Sequence, residues 1–373
     1  MAKSAKDGRQ SAARWRWIAA GGLWLAAAGG LFWARRDPAG VARVFIPWSR
    51  RAQRALSHIA AAPFPLTECL VYALAAAVLA ALVVTAVRAV RRRSGRPVLC
   101  LFSHAALLAG VLVCLFLSLW GLGAFAPPLA DRLALDTAPA SARTLYDTAV
   151  WLRDEMNALA GQVPRGADGA CTGGFDALAG RAADGYRSLA ARVPDAFEGA
   201  PAAPKRVIGA GLLSRLGLSG VYSPFLGEAM VNPDTIPAHL PFTMCHEMAH
   251  GMGYVSEDEA NYIAFLACTA NPDPLFAYSG YHLAFIYCSN ALSTADAALS
   301  ARLWEGIDDR VHADFEAQRA YLKRYEGPAR AVGEAVNDAY LRTMNQPEGV
   351  QSYGRVVDLL IADYRARGGT NQP

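Results

Sequence analysis

The sequence predicts a mainly α protein: three N-terminal transmembrane helices, then a mostly helical domain with a small β element. Three observations carry that prediction. Long apolar runs are confined to the first third of the chain, helix-like apolar spacing dominates the remainder, and one stretch, Pro241–Asn261, contains the pattern His-Glu-x-x-His.

The charge distribution divides the chain the same way. Residues 1–125 hold 16 of the 36 Lys and Arg but only three of the 32 acids, Asp7, Asp37 and Glu68. Residues 126–373 therefore carry 20 basic and 29 acidic side chains. Such asymmetry implies two regions in two surroundings. Nothing resembles a basic nucleic-acid-binding face. The Arg excess lies beside apolar runs at 17–34, 69–87 and 98–125, each close to the roughly 20 residues that cross a bilayer as a helix. The first run follows a basic stretch as a signal peptide would, but Trp33-Ala34-Arg35-Arg36 lacks small residues placed for cleavage, which favours a retained helix. These three spans make residues 1–125 a membrane anchor and leave 126–373 as the second domain.

Topology follows from the basic loops. Arg88, Arg91, Arg92, Arg93 and Arg96 between the second and third runs, and Lys3, Lys6, Arg9, Arg14 and Arg16 before the first, belong on the cytoplasmic side. Six arginines between the first and second runs oppose that orientation, and part of that loop, Val41–Ala61, has the pattern of an amphipathic helix lying on the membrane. The expectation is a multi-pass protein of the cell (inner) membrane with its second domain extracytoplasmic. Of seven cysteines, Cys69, Cys100 and Cys114 lie in or near the spans; Cys171, Cys245, Cys268 and Cys288 belong to the domain, where an exported location allows one or two disulfides.

Ala126-Pro127-Pro128 marks the domain boundary. Ser141–Ala160 and Phe175–Val193 show helical periodicity, and Val207–Leu216 is short and partly helical. Gly220–Asn232 has the Gly and Pro punctuation of paired strands, which is either an edge for extended substrate or an ordinary sheet edge. Helix-like spacing then recurs over 276–292, 294–303, 308–324, 329–344 and 352–367.

In His246-Glu247-Met248-Ala249-His250 the two imidazoles stand one helical turn apart on one face, so both can ligate one Zn²⁺. Glu247 is then placed to act as general base on a zinc-activated water. Met244, Met248 and Ala249 make the other faces apolar, so the helix is built for burial, and a buried His pair needs a polar partner. A third ligand separates the peptidase classes. The metzincin pattern requires His at 256, where this chain has Ser256. The gluzincin pattern takes a Glu from a following helix, as in Glu257-Asp258-Glu259-Ala260-Asn261. Ser256 as N-cap with Glu259 three residues on reads as a capping box, which favours Glu257 over Glu259 as the ligand. Asn261, one turn beyond Glu257, is a candidate partner for a ligand His. Tyr278, Tyr281 and His282 are candidates for oxyanion or substrate contacts, and His239 and His312 read as structural.

With those residues in view, the chain resembles a family of uncharacterised bacterial membrane proteins, a domain-of-unknown-function family with three N-terminal helices and a gluzincin-like domain. The resemblance runs through Pro63–Glu68, Ser223–Asn232, Leu240–His250, Glu257–Asn261, Tyr278–Tyr281, Asn337–Leu341 and Gly349–Gly354. It implies a zinc-metallopeptidase-like (zincin-like) domain with one Zn²⁺ and no defined peptide or protein substrate. Two functions stand as expectations: a membrane-anchored zinc metallopeptidase, and a non-catalytic zinc-binding sensor or scaffold on the same anchor. The presence of Glu247 favours the first, because structural zinc needs ligands and no base.

Overall fold

The computed structural model describes residues 2–193, 197, 201–344 and 354–368. Apolar composition and helix geometry set its N-terminal part: α1 (Ala2–Arg36), α2 (Ile46–Ile59), α3 (Leu66–Arg92) and α4 (Arg96–Leu119). Three segments, Arg14–Arg36, Leu66–Arg92 and Arg96–Leu119, are long and apolar enough to cross a membrane. Helix α1 packs on α4, where Gly110 admits Leu23 and Trp24.

The third span is shorter than its apolar run. Helix α4 stops at Leu119 because Trp120 leaves helical backbone (φ −154°, ψ −48°), and Gly121–Phe125 forms a 3₁₀ turn. Leu122 and Phe125 bury against Ala34, Val41, Phe45 and Ile46, so this end of the run is apolar for protein packing rather than for lipid.

The segment after α1 is helical as its pattern predicts, with a π-helical turn at Val41–Phe45 leading into α2. Its polar stripe, however, is buried in protein rather than turned to water. Ser49 Oγ and Gln53 Nε2 both donate to the Leu119 carbonyl, at 2.5 and 3.1 Å, and Trp48 Nε1 donates to that of Ser118 at 3.0 Å. Gln53 Nε2 also reaches the Pro224 carbonyl (3.1 Å), while Arg50 Nε donates to the Met252 carbonyl at 2.6 Å. Helix α2 therefore clamps the end of the third span to the rest of the protein.

The remaining elements form one large core around α5 (Ala142–Ala160), α6 (Phe175–Arg192) and the helices that follow the sheet. The sheet comprises β1 (Lys205–Arg206), β2 (Gly220–Ser223) and β3 (Glu228–Val231), in the order β1-β3-β2. A short helix, α7 (Ala210–Leu216), precedes β2. Strands β2 and β3 form the expected hairpin, with Gly220 opposite Val231 and Ser223 opposite Glu228. Strand β1, parallel to β3 and two residues long, leaves no periodicity to detect.

Helices α8 (Leu240–Gly251), α9 (Glu257–Ala270), α10 (Pro274–Ala295), α11 (Ala297–Trp304), α12 (Asp309–Arg324), α13 (Pro328–Thr343) and α14 (Gly354–Ala366) complete the chain. Their bounds fall within a few residues of the apolar-spacing reading; the expected helix start at 352–353 and the stretch 349–353 lie outside the described residues. All seven cysteines are free thiols, so the disulfides that export would permit are not formed. In the domain the four cysteines serve as buried packing residues.

Candidate metal centre

Helix α8 carries the two histidines. Pro241 in its first turn fixes a helical φ and needs no donor there. Met244, Cys245, Met248 and Ala249 are fully buried, as the apolar faces of the sequence require. The Tyr186 hydroxyl donates to the Cys245 carbonyl, and Ser279 Oγ accepts from the Phe242 N–H, so the helix is tied down on two sides. After Gly251 the chain turns through Gly253 at φ +87°, a left-handed conformation that glycine adopts without steric cost. That turn brings the Tyr254 carbonyl to within 2.7 Å of His250 Nδ1. The ring must donate there, which leaves Nε2 as a lone pair aimed away from the helix.

Helix α9 supplies the third group. Glu257 Oε2 lies 3.1 Å from His246 Nε2, and Oε1 lies 3.6 Å from His250 Nε2. The three candidate ligand atoms lie within 4.8 Å of one another. Two ligands held tetrahedrally at zinc distances of about 2.1 Å stand about 3.4 Å apart, so both spacings suit one such ion. The electrostatics agree. Burial opposes a charge on Glu257, but the His250 and His246 imidazoles beside it bring its carboxyl down to about 2. Burial holds His250 down at about 4, hence neutral and able to offer a lone pair. His246 is also penalised by burial, and Glu257 outweighs that penalty and raises it. His246 Nδ1 has no hydrogen-bond partner among the described residues. Asn261 makes a smaller favourable contribution to the protonated His246 ring and accepts from the Tyr287 hydroxyl at 3.2 Å.

Glu259 is elsewhere. Its Oε1 accepts the Leu129 N–H at 2.7 Å, and the Ser256 side chain makes no capping bond. The capping box is therefore not formed, because Glu259 binds a backbone donor brought in from 130 residues upstream. Glu257 stands with the histidines nonetheless.

Glu247 is buried, and burial, reinforced by the charge of Glu257 and opposed by His246, pushes its carboxyl up to about 8. Its carboxylate lies against the backbone of β2. A Cβ at Gly220 would sit 2.4 Å from Glu247 Oε1, so glycine there lets this side chain keep its place against the strand.

The three aromatic candidates do not face the centre. The Tyr278 hydroxyl donates to Asp314, which also pairs with Arg165 at 3.0 Å. Tyr281 packs edge-on against Trp151 and Phe265, and His282 stacks on Phe315 at 4.7 Å beside His239. Tyr278 and His282 thus belong to a separate buried cluster between α10 and α12, while Tyr281 faces α5 and α9. His239 shares that cluster, and no metal-ligand group among the described residues includes His239 or His312.

Two residues at the centre carried no assigned role in the sequence. Tyr340 of α13, which is 37% exposed, is within electrostatic reach of Glu257 and Glu247, and partial burial together with those charges raises its hydroxyl. Trp120, just past the third span, donates Nε1–H to the His250 carbonyl (3.1 Å) and sets its ring edge-on to His250 at 5.6 Å. Tyr340 falls within Asn337–Leu341, one of the stretches shared with the resembled family; its place at the centre depends on the path of α13, which periodicity does not give.

A family model described as "Protein of unknown function (DUF3810)" matches residues 42–361, from the π-helical turn before α2 into α14. No curated protein and no solved structure matches the chain.

Proposed function

Because the chain belongs to DUF3810, whose description assigns no activity, we propose its function from the geometry of the centre: a membrane-anchored zinc metallopeptidase. The observation that carries this reading is Glu247, a buried carboxylate one residue from His246 and accommodated by Gly220, where a purely structural ion would need no base. His246, His250 and Glu257 would hold the zinc. When bound, the ion would supply Lewis acidity toward a water and a peptide carbonyl. Glu247 takes the proton of the attacking water and delivers it to the leaving amine. In this reading the Tyr340 hydroxyl, within electrostatic reach of Glu257 and Glu247, would stabilise the developing oxyanion. Asn261 and the Tyr254 carbonyl orient the two imidazoles.

The basic loops support an orientation with the metal centre outside the cytoplasm and the anchor in the cell membrane. The partners in this reading are the bilayer and a peptide or protein, with no nucleic acid.

The test is zinc content and proteolysis of the full chain in detergent, because α2 and Trp120 tie the anchor to α8. Wild type and Glu247→Gln should each bind one zinc, Glu257→Gln should lose it, and Glu259→Gln should keep it. Peptide-library cleavage should vanish in Glu247→Gln. One equivalent of zinc in the wild type without any cleavage would assign the centre to a sensor or scaffold instead.

A further inference from the structure

The centre lies beside the point where the chain meets the membrane. Trp120 follows the last residue of the third span and touches His250 directly. The second span begins against the sheet: Glu228 of β3 accepts the Leu66 and Thr67 N–H groups at 3.0 and 2.7 Å, and the Thr67 hydroxyl meets Ser223 of β2 at 3.0 Å. Side chains alternate along a strand, so β2 presents Gly220 and Tyr222 to α8 and turns Val221 and Ser223 toward the anchor. The outer edge of β2 pairs with no described strand.

An apolar surface continues from that edge. The Ile208 and Gly209 N–H groups both bond Glu68 at 2.7 Å. Gly209 also lies against the Tyr72 hydroxyl, six residues or about 9 Å along α3. Ile208 and Leu212 are 59% and 53% exposed at this level, beside the opening turns of a span. Helix α13 crosses α7 so closely that a Cβ on Gly333 would meet the Leu216 carbonyl at 2.1 Å. From that crossing Val332, Val336 and Tyr340 follow one another at successive turns on one side of α13, the two valines 59% and 64% exposed. The helix ends with Met344 packed on Trp120, Val255 and Tyr222. Helix α13 thus bridges the centre, with an apolar line running from the head of the second span to Tyr340.

We propose, on the peptidase reading above, that the substrate is a membrane-inserted polypeptide whose apolar juxtamembrane segment enters from the bilayer surface and lies between the free edge of β2 and the apolar side of α13. An added strand at that edge alternates its side chains between the metal side and the bilayer side, and Val221, Leu212, Val332 and Val336 offer it exposed apolar side chains. A soluble polar peptide gains nothing from that surface; an apolar segment already held at the membrane gains its burial and its local concentration.

The experiment uses full-length Glu247→Gln protein in phosphatidylethanolamine–phosphatidylglycerol vesicles, with a benzophenone side chain placed at Leu212 or Val336. One probe is a single-span peptide extended by an apolar juxtamembrane segment; the other is that segment alone, water-soluble. Adducts to the single-span probe should exceed those to the soluble probe by about tenfold at equal amounts, and Val332→Asp should reduce them by a similar factor with zinc content unchanged. Equal labelling by both probes, adducts to lipid alone, or adducts to a second copy of the chain would overturn the proposal. Zinc-loaded wild-type protein separates the two readings. Adducts without cleavage of either probe would retain the docking surface and remove the peptidase, whereas equal cleavage of both probes would do the reverse.

Discussion

Glu257 and Glu259 stand two residues apart on α9 and differ in what surrounds them, which makes them a clean test of the ligand set. Glu257 lies between two imidazoles, so Glu257→Gln should abolish zinc binding measured by metal analysis. Glu259 bonds the Leu129 backbone, so Glu259→Gln should cost about 1–2 kcal/mol of stability and leave the metal in place. Gly220 gives a second residue-scale prediction. A methyl group at Gly220→Ala would press on Glu247 at 2.4 Å, and the side chain must move or the strand must shift. Activity should fall by about 10²-fold, as for a displaced general base, while zinc content stays at one equivalent. Tyr340→Phe should likewise lower kcat by about 10²-fold with little change in KM, the signature of a hydrogen bond made only in the transition state. The group that could hold a metal was legible in the sequence because His246, His250 and Glu257 lie within 12 residues on two consecutive helices. Tyr340 was not legible as part of the site, since nothing local distinguishes its face of α13 from any other. The aromatic run after α9 points away for the complementary reason: Tyr278, Tyr281 and His282 are near in sequence, but the direction of α10 carries Tyr278 and His282 to Asp314 and Phe315 and Tyr281 to Trp151 and Phe265.

At the scale of elements, one buried carboxylate of the sheet gathers four donors at the junction with the second span. Glu228 accepts from Leu66 N, Thr67 N, the Thr67 hydroxyl and Lys205 Nζ, the last at 2.6 Å. Burial raises its carboxyl, but the bonds from Lys205 and Thr67 outweigh that and hold it below its ordinary value. The stabilisation is therefore complete above the unfolded carboxylate range near about 4.3 and is lost as pH falls through the lower folded value. Glu228→Gln should destabilise the protein by about 3 kcal/mol near pH 7, because it leaves Lys205 without its counter-charge. In thermal melts the gap between wild type and variant should narrow only below about pH 4; a constant gap down to pH 3 would assign the loss to packing. Helices and the hairpin were legible because apolar spacing repeats at 3.6 or 2 residues, and α12 and α13 fall almost where that spacing puts them. The end of α4 and the role of α2 were not. Apolar residues at 120–125 look the same whether they meet lipid or protein, and a polar stripe holding Ser49 and Gln53 looks the same whether it faces water or the Leu119 and Pro224 carbonyls.

At the scale of the whole molecule, the three spans, the clamp helix and the metal helix define one geometry whose orientation can be predicted. The ends of α1 and α4 and the start of α3 lie on the side of the metal centre, tied there by Gln53, Trp120 and Glu228. The turn joining α3 to α4, with Arg93 and Ser94, then lies on the far side. Five arginines flank that turn, and the N-terminal basic cluster shares its side, so the positive-inside rule predicts a cytoplasmic place for both. The six arginines between the first and second spans contradict this only if they are counted as a free loop. Arg50 donates to the Met252 carbonyl and lies over Tyr254 at 5.5 Å, and Arg35 lies over Phe125 at 5.7 Å, so at least these two are engaged by protein on the domain side. In a variant lacking Cys69, Cys100 and Cys114, a membrane-impermeant maleimide added to intact cells should label Arg187→Cys, exposed on α6. It should leave Ser94→Cys unlabelled until the membrane is opened. Labelling in the reverse order would place the metal centre in the cytoplasm and would require the arginines of the first loop, rather than those of the second, to set the orientation.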